Sequence, residues 1–298
     1  MRLKNNMLVE IKNEYLRLTV ETMGAELQSL VSADGTNCLW TGDSAYWSGR
    51  SPVLFPFVGR LYEQRYRLGG KEYPLGLHGF AKKSEFTVRE RRTDSVVLSL
   101  RESDDTLAQF PFRFELRVGY ALRGRSVEVS YEVDNLSDET MYFGLGGHPG
   151  FNVPFEPGTE FEDYYLRFSE PCSPEVIGFS DAVLLNGEVR PYELEGGQIL
   201  PLRHELFDLD AVVLKNTSGA VTIASSKSRR SITVSYPQMP YVGFWQASKK
   251  QAPYLCIEPW VSLPGREGVI EDFENISDLI SLKAHGHYEN IWTISIAE

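Results

Sequence analysis

Two of the chain's five histidines sit where a side chain could be held for proton transfer. One lies in Leu77-His78-Gly79-Phe80, the other in Gly146-Gly147-His148-Pro149-Gly150-Phe151-Asn152. Flanking glycines let the backbone bend sharply or approach a ligand, and Pro149 restricts the backbone of His148. An imidazole held this way gives and takes a proton near neutral pH. Ordinary turn histidines would carry the same neighbours, because glycine turns are common in β proteins. A third setting is Leu255-Cys256-Ile257-Glu258-Pro259-Trp260, one carboxylate inside an apolar strand. Desolvation there raises its proton affinity, which suits a general base, although a buried glutamate paired with an arginine would read the same way.

Two further segments offer groups that grip hydroxyls. Ser51-Pro52-Val53-Leu54-Phe55-Pro56-Phe57-Val58-Gly59-Arg60 ends in a guanidinium whose planar fork can donate to hydroxyl oxygens, or form a salt bridge at the core edge. Leu206-Phe207-Asp208-Leu209-Asp210-Ala211-Val212-Val213-Leu214 places Asp210 at the mouth of an apolar strand, with Asp208 two residues earlier on the same face of an extended chain. Either aspartate is a candidate for the ligand-facing acid. Trp40, Tyr46, Trp47, Trp245 and Trp260 supply flat apolar faces against which sugar CH groups stack, or simply core filling.

The elements that must position these groups read as strands. Phe112, Phe114, Leu116, Val118 and Tyr120 alternate with polar residues and glycine, and the same period returns at Val127, Val129, Tyr131 and Val133 after a turn at Leu122 to Gly124. Together they predict a hairpin. Similar patterns recur at Tyr15 to Val20, Val96 to Leu100, Ala211 to Leu214, Ser231 to Tyr236 and Ile291 to Ile296. Helical periodicity is scarce, and its best candidate, Ser277 to Leu282, amounts to a short turn. The expected fold is all-β, a large antiparallel sandwich. No linker, charge block or fixed repeat marks a boundary, and the chemical segments span Ser51 to Trp260, so residues 1–298 are expected to form a single domain.

Composition bounds the function class. The 298 residues are 42% hydrophobic and 12% aromatic, enough for a large core. With 41 acidic against 30 basic residues, the net charge of −11 repels nucleic acid and anionic membrane surfaces. Arg229-Arg230 and Lys249-Lys250 are too short to reverse that. The three cysteines, Cys38, Cys172 and Cys256, are far apart and show no CxxC spacing, so they read as free thiols in a reducing compartment. Met1 to Glu10 lacks an apolar stretch of signal-peptide length, so the expected location is cytoplasmic. Met7 offers a second start, and no function is attached to the six residues before it.

Taken together and in order, the LHGF, GHPGFN, CIEPW, VGR and LDAVV segments resemble the aldose 1-epimerase family, and its LacX-like branch more closely, over nearly the whole chain. The resemblance implies a galactose mutarotase-like supersandwich, a sugar substrate in a cleft on its face, and interconversion of α and β anomers. It implies Glu258 as general base, His148 as general acid, and His78, Arg60 and Asp210 as binders of substrate hydroxyls, with Trp260 beside the sugar. No metal or nucleotide cofactor is implied, and the assembly expected is a monomer or homodimer. A metal reading would draw on His78, His148 and Glu258, but no HxH or HxxxH spacing links the two histidines.

Two departures from the galactose-specific members bear on the sugar. His78 is followed by Gly-Phe-Ala rather than a more glycine-rich run, and the second arginine usual after the VGR segment is missing unless Arg65 serves. A phosphorylated hexose would call for basic side chains, for which the sequence offers Arg50 or Arg65. A non-catalytic sugar-binding or sensing protein is the alternative from another class, although such a protein needs neither acid nor base. His285 and His287 have HxH spacing and read as an exposed turn.

Overall fold

The computed structural model describes residues 7–297. Strand makes up 47% of it and helix 6%, with every pair of named strands antiparallel. A nine-stranded sheet faces an eight-stranded sheet, and three strands, Leu8–Lys12, Leu16–Glu21 and Glu26–Ser32, form a small sheet beside them. Among the described residues no helix is long and apolar enough to cross a membrane.

The predicted hairpin forms two inner strands of the larger sheet, Phe114–Arg123 paired with Ser126–Asn135. The first strand starts at Phe114 rather than Phe112 and runs on to Arg123, so the turn is Gly124 and Arg125 rather than Leu122 to Gly124. His287–Ala297 pairs with Ser126–Asn135 on the other side. The 277–282 stretch is not helical: a turn at Ser277 and Asp278 leads into the strand Ile280–Leu282, which pairs with Met141–Phe143. The α-helix that does form, Asp104–Leu107, is one turn long and capped by Ser103, whose side chain accepts from the Thr106 amide.

The eight-stranded sheet positions three of the candidate residues, Glu258, His148 and Trp260. Its middle strand, Tyr254–Trp260, is buried throughout and pairs with Tyr241–Trp245 on one side. On the other side it pairs with two short strands, Gly146–Gly147 and Gly150–Asn152. Period-2 alternation sends Leu255 and Ile257 into the main core between the sheets. Tyr254, Cys256, Glu258 and Trp260 therefore share the opposite face. The main core cluster contains residues from Val9 to Ile296, so both ends of the described chain contribute to it.

Candidate functional site

Glu258 sits directly across from Gly243 in the neighbouring strand. A Cβ on Gly243 would lie 3.1 Å from the Trp260 ring and 3.5 Å from the Glu258 Cβ, so glycine keeps the space beside the carboxylate open. On the other side of the Glu258 strand, His148 is held in the gap between Gly146–Gly147 and Gly150–Asn152. The glycines there serve close approach rather than an unusual turn. A Cβ on Gly147 would sit 2.7 Å from the Trp292 ring, and one on Gly150 would sit 3.1 Å from the Trp47 ring. Ile257 donates its amide to the Pro149 carbonyl at 3.1 Å, tying the histidine segment to the glutamate strand.

These constraints bring the His148 Nε2 within 3.2 Å of a Glu258 carboxylate oxygen. The two residues are 7% and 2% exposed, so neither charge is readily solvated. Burial pushes the Glu258 carboxyl well above the usual carboxylate range, and nearby Asp210 reinforces it. Burial also lowers the His148 imidazole to about 3. Both directions favour a neutral pair holding one proton between them. Trp47 stacks on the His148 ring at 4.9 Å, while Trp245 and His78 meet it edge-on at 5.6 Å each.

His78 has a backbone φ of 60°, and Gly79, at φ 68°, follows it. Only glycine fits at 79, because a Cβ there would lie 2.2 Å from the Phe55 carbonyl oxygen. The His78 amide donates to the Gly59 carbonyl at 2.9 Å, and the Gly59 amide donates back to the His78 Nδ1 at 3.0 Å. With Nδ1 accepting, the ring proton sits on Nε2, so His78 is a hydrogen-bond donor to whatever it faces. Burial and the nearby His148 keep this imidazole neutral, well below its ordinary value.

His78, His148 and Glu258 line one cavity of about 270 Å³, together with Arg60, Asp210, Trp47, Trp245 and Trp260. All six site residues expected from the sequence thus meet in one place. Arg60 forms no salt bridge among the described residues, which sets aside the core-edge ion pair. Asp210 and Asp208 do not share a strand face, because the strand starts only at Val212 and Asp210 has a φ of 113°. Asp210 faces the cavity and accepts from the Ala211 amide at 2.8 Å, and burial raises its proton affinity. Asp208 instead takes the Ser248 hydroxyl on its carbonyl.

Other candidates fall elsewhere. Trp40 and Tyr46 pack with Tyr254 behind the cavity. Arg65 pairs with Glu63 and Glu72 on the exposed Arg65–Leu68 hairpin strand, so it does not replace the missing second arginine. Arg50 is bound to the Gln28 side chain at 2.7 Å. His285 and His287 are exposed and lie beside Asp138 and Asp134. Lys82 does line the cavity, on the 3-10 turn Ala81–Lys83 just after His78. Its position in a Lys-Lys pair carries no sequence signal that separates it from a surface lysine.

A metal would find a different ligand set from the one the sequence suggests. His148, Cys256 and Glu258, rather than His78, bring their donor atoms within 4.8 Å of one another. Burial holds the Cys256 thiol protonated, which disfavours it as a metal ligand.

A family model described as aldose 1-epimerase matches residues 7–288. The chromosomal LacX protein of Lactococcus lactis subsp. lactis is 37% identical over 287 residues, covering 93% of this chain and 96% of that protein. Among solved structures, a galactose mutarotase related enzyme from Lactobacillus acidophilus has a TM-score of 0.93 at 32% identity, over 98% of both chains. A galactose mutarotase-like protein from Lactobacillus casei has a TM-score of 0.90 at 33% identity, covering 97% of this chain and all of the other.

Proposed function

Because this chain belongs to the aldose 1-epimerase family, we propose that it interconverts the α and β anomers of an aldose by acid–base ring opening and reclosure. The observation that carries this reading is the buried Glu258–His148 pair, 3.2 Å apart, on the wall of a cavity lined by tryptophan rings and hydrogen-bond donors.

The empty site holds one proton on the pair, on the Glu258 side. A sugar hydroxyl donating to Glu258 stabilises the carboxylate, and the proton crosses to His148. Glu258 then takes the proton of the anomeric hydroxyl while His148 protonates the ring oxygen, and the ring opens to an aldehyde. Rotation about the bond to the aldehyde carbon exposes its other face, and reclosure returns both protons. Arg60, His78 and Asp210 hold hydroxyls away from the reacting centre, and Trp47, Trp245 and Trp260 offer apolar faces to the sugar. The scheme draws on no cofactor. The chain works as one folded unit in the cytoplasm.

The test is polarimetry on freshly dissolved α-anomers, with spontaneous mutarotation as the blank. Wild type is expected to accelerate the decay, and Glu258→Gln and His148→Asn each to lower kcat by about a hundredfold to ten-thousandfold while remaining folded. Sugar binding without acceleration by wild type would instead make this a binding protein.

A further inference from the structure

We propose that Glu271, a buried carboxylate outside the cavity, is a positioning residue for the sugar: it fastens a strap, residues 263–266, and the strap holds Arg60 and, through Gly59, His78 on the cavity wall. This deepens the epimerase reading and rests on it. Arg60 and His78 lie outside the named strands, and Arg60 is exposed where it lines the cavity, so neither takes its place from a β-ladder.

The strap supplies what the ladder does not. The Gly265 amide donates to the Arg60 carbonyl at 2.7 Å. Pro264 lies so close to Gly59 that a Cβ there would stand 2.4 Å from its ring. Gly59 in turn exchanges two hydrogen bonds with His78, one of them to the imidazole Nδ1. On its other side the strap takes the Leu185 amide on the Gly265 carbonyl at 2.9 Å, and the Glu267 amide donates to the Leu185 carbonyl at 2.9 Å. That contact fixes the foot of the hairpin whose turn brings Val183 to the cavity.

Glu271 locks this strap. It is 4% exposed, and its carboxylate is spent on a single strap residue: Oε1 accepts from the Arg266 amide and Nε, both at 2.9 Å, and Oε2 accepts from Nη2 at 2.8 Å. A charge-assisted fork of this kind fixes orientation as well as distance. The Arg266 side chain is 61% exposed, so most of its charge stays solvated and the pair adds more to geometry than to stability. The base of the clamp is rigid, because the Arg67 amide donates to the Glu271 carbonyl at 2.7 Å and Phe273 stacks on Tyr66 at 3.7 Å in the core. At the other end of the strap, the Leu263 amide donates to the Asp278 carboxylate at 2.8 Å. Glu258 and His148 are set instead by the ladder around Tyr254–Trp260. Loosening the strap should therefore displace the groups that grip hydroxyls and leave the proton-transfer pair in place.

The experiment is polarimetric kinetics on α-glucose and α-galactose with wild type, Glu271→Ala, Glu271→Gln, Arg60→Met and the double variant Arg60→Met with Glu271→Ala. Glu271→Ala is expected to raise KM about tenfold while kcat stays within about threefold, because binding groups and not reacting ones are displaced. KM of the double variant should stay close to that of Arg60→Met, since Glu271 acts through the same guanidinium. Glu115→Gln, which breaks ion pairs far from the cavity, is the control for lost stability and should leave KM unchanged. Should Glu271→Ala not fold, Glu271→Gln carries the test, because it keeps an acceptor for the Arg266 amide but loses the fork. A KM unmoved in both Glu271 variants, or effects that multiply in the double variant, would overturn the positioning role while leaving the epimerase reading intact. Failure of wild type to accelerate either sugar would remove both.

Discussion

The Glu258–His148 pair has a pH signature that separates it from an ordinary ion pair. In the proposed mechanism its active form carries one proton, so activity should be lost when a second proton binds or the last one leaves. Burial lowers His148 to about 3 and lifts Glu258 well above the carboxylate range. The profile of kcat/KM should therefore stay flat across neutral and mildly acidic pH, with its acid limb far below the imidazole range and its alkaline limb above the carboxylate range. An acid limb centred near the usual imidazole value of about 6.5 would mean that His148 titrates as an exposed histidine, against the geometry. Both residues were legible in the sequence as unusual settings, a carboxylate in an apolar strand and a histidine among glycines. The sequence did not reveal that they touch, because 110 positions of chain separate them and a β-ladder closes the distance.

At the scale of elements, the two long central strands carry their polar residues on the outer face of the nine-stranded sheet. Glu115 there accepts from Arg101 at 2.8 Å and Arg89 at 2.9 Å, while Arg117 reaches Glu132 and Asp134. The Arg101 hydrogen bond, helped by Arg89, holds the Glu115 carboxyl down to about 2. Folding therefore favours the ionised form. Its contribution is complete above the ordinary carboxylate range and disappears as pH falls toward about 2. The arginines are about half exposed, which limits the worth of the pairs to roughly 1 kcal/mol. Glu115→Gln should lower Tm by about 2–4 °C at neutral pH, a deficit that shrinks on acidification and is read by calorimetry at several pH values. A deficit independent of pH would assign the loss to packing instead. Alternation made these strands readable, whereas the short strands around His148 are two or three residues long and have no period to detect.

Across the whole molecule, one core cluster draws on both ends of the described chain, and the tryptophans report on different parts of it. Trp47, Trp245 and Trp260 line the cavity, while Trp292 is buried beneath Gly147. Denaturant unfolding followed by tryptophan fluorescence should coincide with that followed by far-ultraviolet circular dichroism, as expected when site and sheets melt together. Two separated transitions would contradict the single-unit reading. The all-β class and the long hairpin were determined by the sequence, and the unusual settings of His148 and Glu258 were visible in it, since period-2 alternation and short motifs are local properties. Which side chains share the cavity was decided only by tertiary structure. Lys82 joins His78 on one wall, Asp210 turns inward where Asp208 does not, His148 comes to lie beside Glu258, and Arg50 and Arg65 go to partners elsewhere. Those choices depend on loops from distant segments meeting over one sheet face, and no local pattern encodes that meeting.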